Sequence, residues 1–133
     1  MDEPRLPYSD VTKAILTAFY DTYNKLGYGF LECHYALALE RKLRAAGRHV
    51  AREFAVKVFF EGEELGFHRL DMVVDSVVVV ELKSTARLAP EARRQLYNYL
   101  RATNLEVGLL LYFGPAPRFQ RIFVPTRNSV EPS

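Results

Sequence analysis

The sequence predicts an α/β domain whose mixed central sheet is flanked by helices. Three observations predict it. Apolar residues recur at helical spacing through Ile15, Ala18, Phe19 and Tyr23, and again through Leu31, Tyr35, Ala38, Leu39, Leu43 and Ala46, tracing one face of a helix each time. The period then drops to two over Phe54–Phe60, as a half-buried strand requires. The run Val77-Val78-Val79-Val80 follows, apolar on both faces like a central strand covered from both sides.

Each element has its own signals. Residues 1–8 hold two prolines and read as a loose lead-in. Ser9 or Asp10 can cap the first helix, which Lys25-Leu26-Gly27-Tyr28-Gly29 breaks. A second helix runs from about Phe30 to Ala46 and stops at Gly47. Strands follow at Phe54–Phe60, at about Leu65–Val74 and at Val77–Leu82, separated by turns at Glu61-Gly62-Glu63-Glu64 and Asp75-Ser76. Pro90 suits the first turn of a third helix that ends near Thr103, with Leu96, Tyr99, Leu100 and Thr103 inward. Val107–Phe113 is a buried strand, Gly114-Pro115-Ala116-Pro117 a loop, and Phe119–Val124 an edge strand before a frayed tail. The order is helix, helix, strand, strand, strand, helix, strand, strand, which gives a helix-covered mixed sheet.

Composition narrows the function classes. A chain of 133 residues with nearly half of them apolar suits one domain over 1–133, its core at about 10–124 and both tails loose. The formal charge is only +2, so any nucleic-acid surface must be local. The single Cys33 excludes an internal disulfide and a cysteine-built zinc or iron–sulfur site within one chain. A reducing cytoplasm is the expected compartment. The acidic start Met1-Asp2-Glu3-Pro4 is no secretory signal, and no apolar run approaches the roughly 18 residues of a membrane span.

The chemistry centres on Asp71 and on Glu81-Leu82-Lys83, which ends the valine run. Two opposite charges at the end of a buried strand are costly without a purpose. Side chains on a strand alternate, so Glu81 and Lys83 share one face and Leu82 takes the other. Whether Asp71 meets Glu81 depends on the turn. A two-residue hairpin at Asp75-Ser76 would pair Asp71 with Val80 and face it away. A three-residue turn or a bulge puts it opposite Glu81. Two apposed carboxylates then call for a cation, and oxygen ligands select a hard one, Mg²⁺ with Mn²⁺ as substitute. Such an ion activates water and polarises a phosphoryl oxygen, while Lys83 orients the attacking water or stabilises the added charge. The bland counterpart is a surface Glu–Lys pair.

Two further polar residues sit near apolar stripes. With about 100° per residue, Glu32 falls at about 100° on the second helix, between Leu39 at about 80° and Leu43 at about 120°. It reads either as a third carboxylate or as a first-turn acid serving the helix dipole. Gln95 lies one turn before Tyr99 on the third helix. It can face the sheet and bind a water of the site or Lys83, or it is simply solvated, while Tyr99 reads as core. His34, His49 and His68 are scattered, which argues against zinc. No phosphate-binding Gly-x4-Gly-Lys loop occurs, and Ser84 has no evident base. Arg87, Arg93, Arg94 and Arg101 gather around the third helix; Arg41, Lys42, Arg44 and Arg48 line the second. Such groups are solvated faces or, beside a metal site, phosphate grips.

Gly29-Phe30-Leu31-Glu32-Cys33-His34-Tyr35 resembles the signature of the GxxExxY proteins, which belong to the PD-(D/E)XK nuclease superfamily. The resemblance runs from about Asp10 to Val124 and includes Arg69-Leu70-Asp71, Glu81-Leu82-Lys83, Gln95-Leu96-Tyr97-Asn98-Tyr99 and Gly108-Leu109-Leu110-Leu111. The Gln-x3-Tyr helix is similar to that of RecB-type exonucleases. The resemblance implies a restriction-endonuclease-like αβββαβ core, here with an extra N-terminal helix. It implies Mg²⁺-dependent phosphodiester hydrolysis leaving a 5′-phosphate. Asp71, Glu81 and the Leu82 backbone carbonyl would hold the metal, Lys83 would position the water, and Glu32 would assist. Gln95 and Tyr99 would orient the site and the nucleic-acid backbone, with Arg87, Arg93 and Arg94 as further contacts. Two departures are Tyr112, where the family commonly carries Asn, and Leu70, where the superfamily often has Pro.

The expected activity is a deoxyribonuclease directed by structure or strand ends, because the chain leaves little room for a sequence-reading module. RNA stays open as a substrate, as does a homodimer or an accessory protein partner. The alternatives are a non-catalytic nucleic-acid-binding or protein-interaction module on the same fold, or an α/β domain with a structural Glu81–Lys83 pair.

Overall fold

The computed structural model describes residues 7–125. Residues 1–6 of the lead-in expected over 1–8, and residues 126–133 of the tail expected from Pro125, lie outside them. Three helices and five strands follow in the expected order: α1 (Ser9–Leu26), α2 (Glu32–Ala45), β1 (Val50–Phe60), β2 (Glu63–Val74), β3 (Val78–Lys83), α3 (Glu91–Arg101), β4 (Val107–Phe113) and β5 (Pro117–Phe123). The strands form one mixed sheet in chain order, β1-β2-β3-β4-β5. Only β3 and β4 are parallel, joined through α3; the other pairs are antiparallel. An αβββαβ core therefore runs from α2 to β4, with α1 and β5 added.

The sheet is buried on both faces, which is why β3 and β4 lack polar alternation. On one face Ile15 and Phe19 of α1 and Tyr35, Leu39 and Leu43 of α2 pack on Met72, Val80, Leu82, Leu109, Leu111 and Phe113. On the other, Ala92, Leu96 and Leu100 of α3 pack on Val73, Val79, Leu110 and Ile122. Gly108 brings α3 close: a Cβ there would meet Leu100 Cδ1 at 3.0 Å. The Tyr35 ring stacks on Phe113 with centroids 4.3 Å apart. Its hydroxyl donates to the Gly27 carbonyl and accepts the Phe30 N–H at 3.2 Å, so one buried side chain secures the loop between α1 and α2. That loop turns through Gly27 at φ 72° and Gly29 at φ 114°, values that favour glycine.

Several expected boundaries shift. Neither Ser9 nor Asp10 caps α1; both lie within the helix, and Tyr8 holds the cap position without a side-chain bond. The α2 helix starts at Glu32, not Phe30, and Leu31 is exposed. It ends as expected at Gly47, where the Arg48 N–H donates to the Leu43 carbonyl and the Gly47 N–H to that of Arg44, the Schellman pattern. Glu63 and Glu64 belong to β2, because Glu61 and Gly62 alone make the hairpin turn, at φ 51° and 83°. Pro90 precedes α3 as its cap, and Thr103 lies past its end. Pro117 joins β5, where an edge strand tolerates its missing donor. Among the described residues no helix is long and apolar enough to cross a membrane.

The turn between β2 and β3 sets the register. Asp75 and Ser76 are both left-handed, at φ 53° and 62°, and the Val77 N–H closes on the Val74 carbonyl at 3.1 Å. Val77, expected in the strand, is the extra residue of a three-residue turn. The pairs are Val74 with Val78, Val73 with Val79 and Met72 with Val80. The Asp75 carboxylate accepts the His49 N–H at 2.9 Å and Arg48 Nη1 at 2.8 Å, and its own N–H donates to the His49 carbonyl at 2.8 Å. Burial pushes the Asp75 carboxyl up, but those donors outweigh it and hold it below its ordinary value.

Asp75→Asn should retain the left-handed backbone and lose the ion pair, costing about 1 kcal/mol in urea denaturation at neutral pH. The folded carboxyl titrates below the unfolded one, so its contribution is present above the unfolded value, about pH 4. It is lost as pH falls through the folded value. Wild-type and variant midpoints should converge in acid; a constant gap would contradict this account.

Candidate functional site

The next pair past Met72 and Val80 is Asp71 and Glu81, and there the backbone ladder stops. Side chains take over its hydrogen bonds. The Asp71 N–H donates to Glu81 Oε1 at 2.7 Å, and the Leu82 N–H donates to Asp71 Oδ2 at 2.7 Å. The carboxylates are therefore apposed, as the three-residue turn requires. The other side of Asp71 is interrupted too. The β1–β2 register omits a Glu53–Asp71 pair, Glu53 is left-handed at φ 52°, and Arg52 Nε donates to the Asp71 carbonyl at 3.2 Å. Beyond this break the faces exchange. Met72 and Val74 pack under α1 and α2, but Leu70 packs under α3.

Glu81 is 8% exposed. Burial, and then the charge of Asp71, push its carboxyl up to about 8, while the Asp71 N–H and the Lys83 charge pull the other way. The His68 imidazole lies beside it, Nε2 at 3.3 Å from Glu81 Oε2. Its ring stacks on Tyr99 at 4.0 Å with planes 1° apart. Burial pushes His68 below its ordinary value; Asp71 opposes this and Lys83 adds to it. Tyr99, expected in the core, is instead half-buried and spends its ring on His68.

Lys83 and Gln95 line a cleft of about 410 Å³ together with Glu32 and Arg87. Glu32 overhangs the end of the sheet and is exposed, although its helical position matches the buried Ala36, Leu39 and Leu43. It accepts the Ser84 N–H at 3.3 Å, and Ser84 Oγ donates to the Phe30 carbonyl at 2.8 Å. These bonds tie the start of α2 to the end of β3. Asp71, Glu81 and Tyr99 are not among the lining residues. Arg93 reaches Gln120 Oε1 at 3.4 Å, and Arg94 stacks over Tyr97 at 5.1 Å. Of the three arginines expected to grip nucleic acid, Arg87 alone lines the cleft. Three of the four bases in and just after α2 have carboxylate partners: Arg44 binds Glu40, Lys42 binds Asp21 and Arg48 binds Asp75.

His68 is the residue that sequence reasoning misses. Three positions from Asp71, regular alternation puts it on the opposite face. The break at Asp71, where the β1–β2 ladder omits the Glu53–Asp71 pair, coincides with a reversal of that alternation, and no motif signals it.

The donor chemistry suits a hard divalent cation. Glu81 is held near neutrality of charge by burial and by Asp71, and a cation between the two would relieve both. A carboxylate offers about four acceptor sites, and one hydrogen bond uses one of them. Among the described residues no three Asp, Glu, His or Cys side chains converge into a cage.

A family model described as the PD-(D/E)XK nuclease superfamily matches residues 9–122. The crystal structure of SSO0001 shares the fold, with a TM-score of 0.57 and 20% identity over 92% of this chain and 62% of that one. The chain thus spans less than two thirds of that protein. No curated protein matches.

In metal-free buffer, stability linked to Glu81 is present below its ordinary value of 4.5 and is lost as pH rises through about 8. The neutral isostere Glu81→Gln should remove that loss and melt about 5 °C above wild type in mildly alkaline buffer. Circular dichroism melts across pH test this; identical pH profiles would refute the buried charge.

Proposed function

Because the chain belongs to the PD-(D/E)XK nuclease superfamily, we propose that it is a metal-dependent nuclease that hydrolyses phosphodiester bonds of DNA, directed by strand structure or ends. The signature at Gly29, Glu32 and Tyr35 leads us to group it with the GxxExxY proteins. The observation that carries the function is the crossed exchange between Asp71 and Glu81, with Lys83 on the same sheet face beside an open cleft.

Asp71, Glu81 and the Leu82 carbonyl would hold Mg²⁺, or Mn²⁺ in its place, with Glu32 assisting from α2. The cation would supply a more acidic water and a polarised phosphoryl oxygen. The remaining work falls to the chain. His68 and the Asp71 N–H fix the Glu81 carboxylate from two sides. The Lys83 ammonium orients the attacking water and offsets charge gathering on the phosphate oxygens. Gln95 donates to the water or the backbone from across the cleft. Tyr99 acts one step removed, by holding His68, and Arg87 meets a phosphate at the cleft wall. Arg93 and Arg94 border α3 as weaker backbone contacts.

A second reading is a non-catalytic nucleic-acid or protein-binding module. The burial of Glu81 favours it, since a carboxylate satisfied by backbone and histidine can persist for stability alone. Calorimetry separates the two. Mn²⁺ should give heat with wild type and none with Asp71→Ala; no heat from wild type would favour the module.

A cleavage panel at low salt with Mg²⁺ or Mn²⁺, covering single-stranded, duplex, flapped and four-way-junction DNA and RNA, tests the activity. Lys83→Ala should lose at least about 100-fold in rate. Equal rates in the variant would identify a contaminant and end the assignment.

A further inference from the structure

One region next to the cleft enters that mechanism only through Arg87. Lys83, Tyr112 and Arg118 stand at one level on β3, β4 and β5, in the pairs Lys83 with Tyr112 and Tyr112 with Arg118. They share the α3 face, since Leu110 and Ile122, two and four positions from Tyr112 and Arg118, pack under α3. Adjacent strands lie about 4.8 Å apart, so the backbone at Arg118 is about 10 Å from that at Lys83. A pocket of about 360 Å³ opens beside this row, lined by Arg87, Leu88, Tyr112, Pro115, Ala116 and Arg118 among others. It shares Arg87 and Leu88 with the cleft that holds Glu32, Lys83 and Gln95.

The pocket is cationic without compensation. No carboxylate lines it, and among the described residues neither Arg87 nor Arg118 forms an ion pair, whereas Arg44, Arg48 and Arg52 each do. It is also built. Tyr112 is 5% exposed, its hydroxyl donates to the Thr85 carbonyl at 2.7 Å, and Thr85 Oγ1 donates to the Arg87 carbonyl at 2.6 Å. Tyr112 therefore shapes the segment that presents Arg87. Gly114 makes room for it: a Cβ at Gly114 would lie 2.1 Å from the Tyr112 ring. The residue that departs from the family pattern is thus the one that forms this floor.

We propose that Arg87, Tyr112 and Arg118 form a receptor for the terminal phosphomonoester of a nucleic-acid strand, which seats that end against the catalytic cleft. This rests on the nuclease reading above. Two free guanidinium groups match the nearly double charge of a phosphomonoester, whereas a backbone diester carries one charge. Pro115 and Ala116 also line the pocket, which shares Arg87 and Leu88 with the cleft.

The test measures equilibrium binding by fluorescence anisotropy in EDTA, with wild-type protein and one oligonucleotide sequence carrying a 5′-phosphate, a 3′-phosphate or hydroxyls at both ends. One phosphorylated end should bind about tenfold more tightly than the hydroxyl form. The bound form identifies which end is read. Arg118→Gln should cut the gain below about twofold, and Arg118→Lys should recover part of it. Equal affinity for all three ends overturns the proposal, as does an equal loss for all three in Arg118→Gln or no binding of any. Binding in EDTA needs no turnover, so a failed cleavage panel would end the nuclease reading without being mistaken for failure of the receptor.

Discussion

The turn at Asp75, Ser76 and Val77 decides which way Asp71 faces, and the rest of the site depends on that decision. One residue fewer would pair Asp71 with Val80 and move its carboxylate to the face under α1 and α2, among Met72, Leu82 and Leu109. Two consecutive left-handed residues are an uncommon choice for non-glycine side chains. Here the Asp75 carboxylate and N–H anchor them to Arg48 and His49, at the point where α2 hands the chain to β1. The end of a helix thus controls the register of Asp71 against Glu81 on another part of the sheet.

Given that register, the site stores electrostatic cost. Glu81 is buried and faces a second acid, yet Glu81 Oε1 accepts the Asp71 N–H, Asp71 Oδ2 accepts the Leu82 N–H, and Glu81 Oε2 lies 3.3 Å from His68 Nε2. Interrupting the ladder on both sides of Asp71 frees those backbone donors. A regular sheet would have consumed them. The apolar machinery lies elsewhere, in two clusters that cover opposite faces and leave the strand ends of β2 and β3 polar.

Much of this is legible from composition and period. The run of four valines and the seven apolar residues of β4 read as buried strands because tertiary burial on two faces leaves no polar alternation. Gly47 ends α2 as its backbone freedom predicts. The face shared by Glu81 and Lys83 follows from alternation alone. The partnership with Asp71 does not, because turn length is not fixed by Asp-Ser. His68 is not legible, since the break in the ladder at Asp71, beyond which the faces exchange, carries no compositional mark. Tyr99 misled for a related reason: its spacing matched the core, but the histidine brought beneath it turned an apolar contact into a stacked one. The basic run of α2 looked like a phosphate grip because charge alone does not reveal partners such as Asp21, Glu40 and Asp75.

The strand order has a kinetic consequence. Every strand pairs with its neighbour in the chain, and three of the four pairings are antiparallel. Closing such local contacts costs little chain entropy, which favours rapid folding. Asp71 and Glu81 are only ten residues apart, across a three-residue closure. Their mutual repulsion is therefore built into one of the easiest steps of assembly, not added to a finished scaffold.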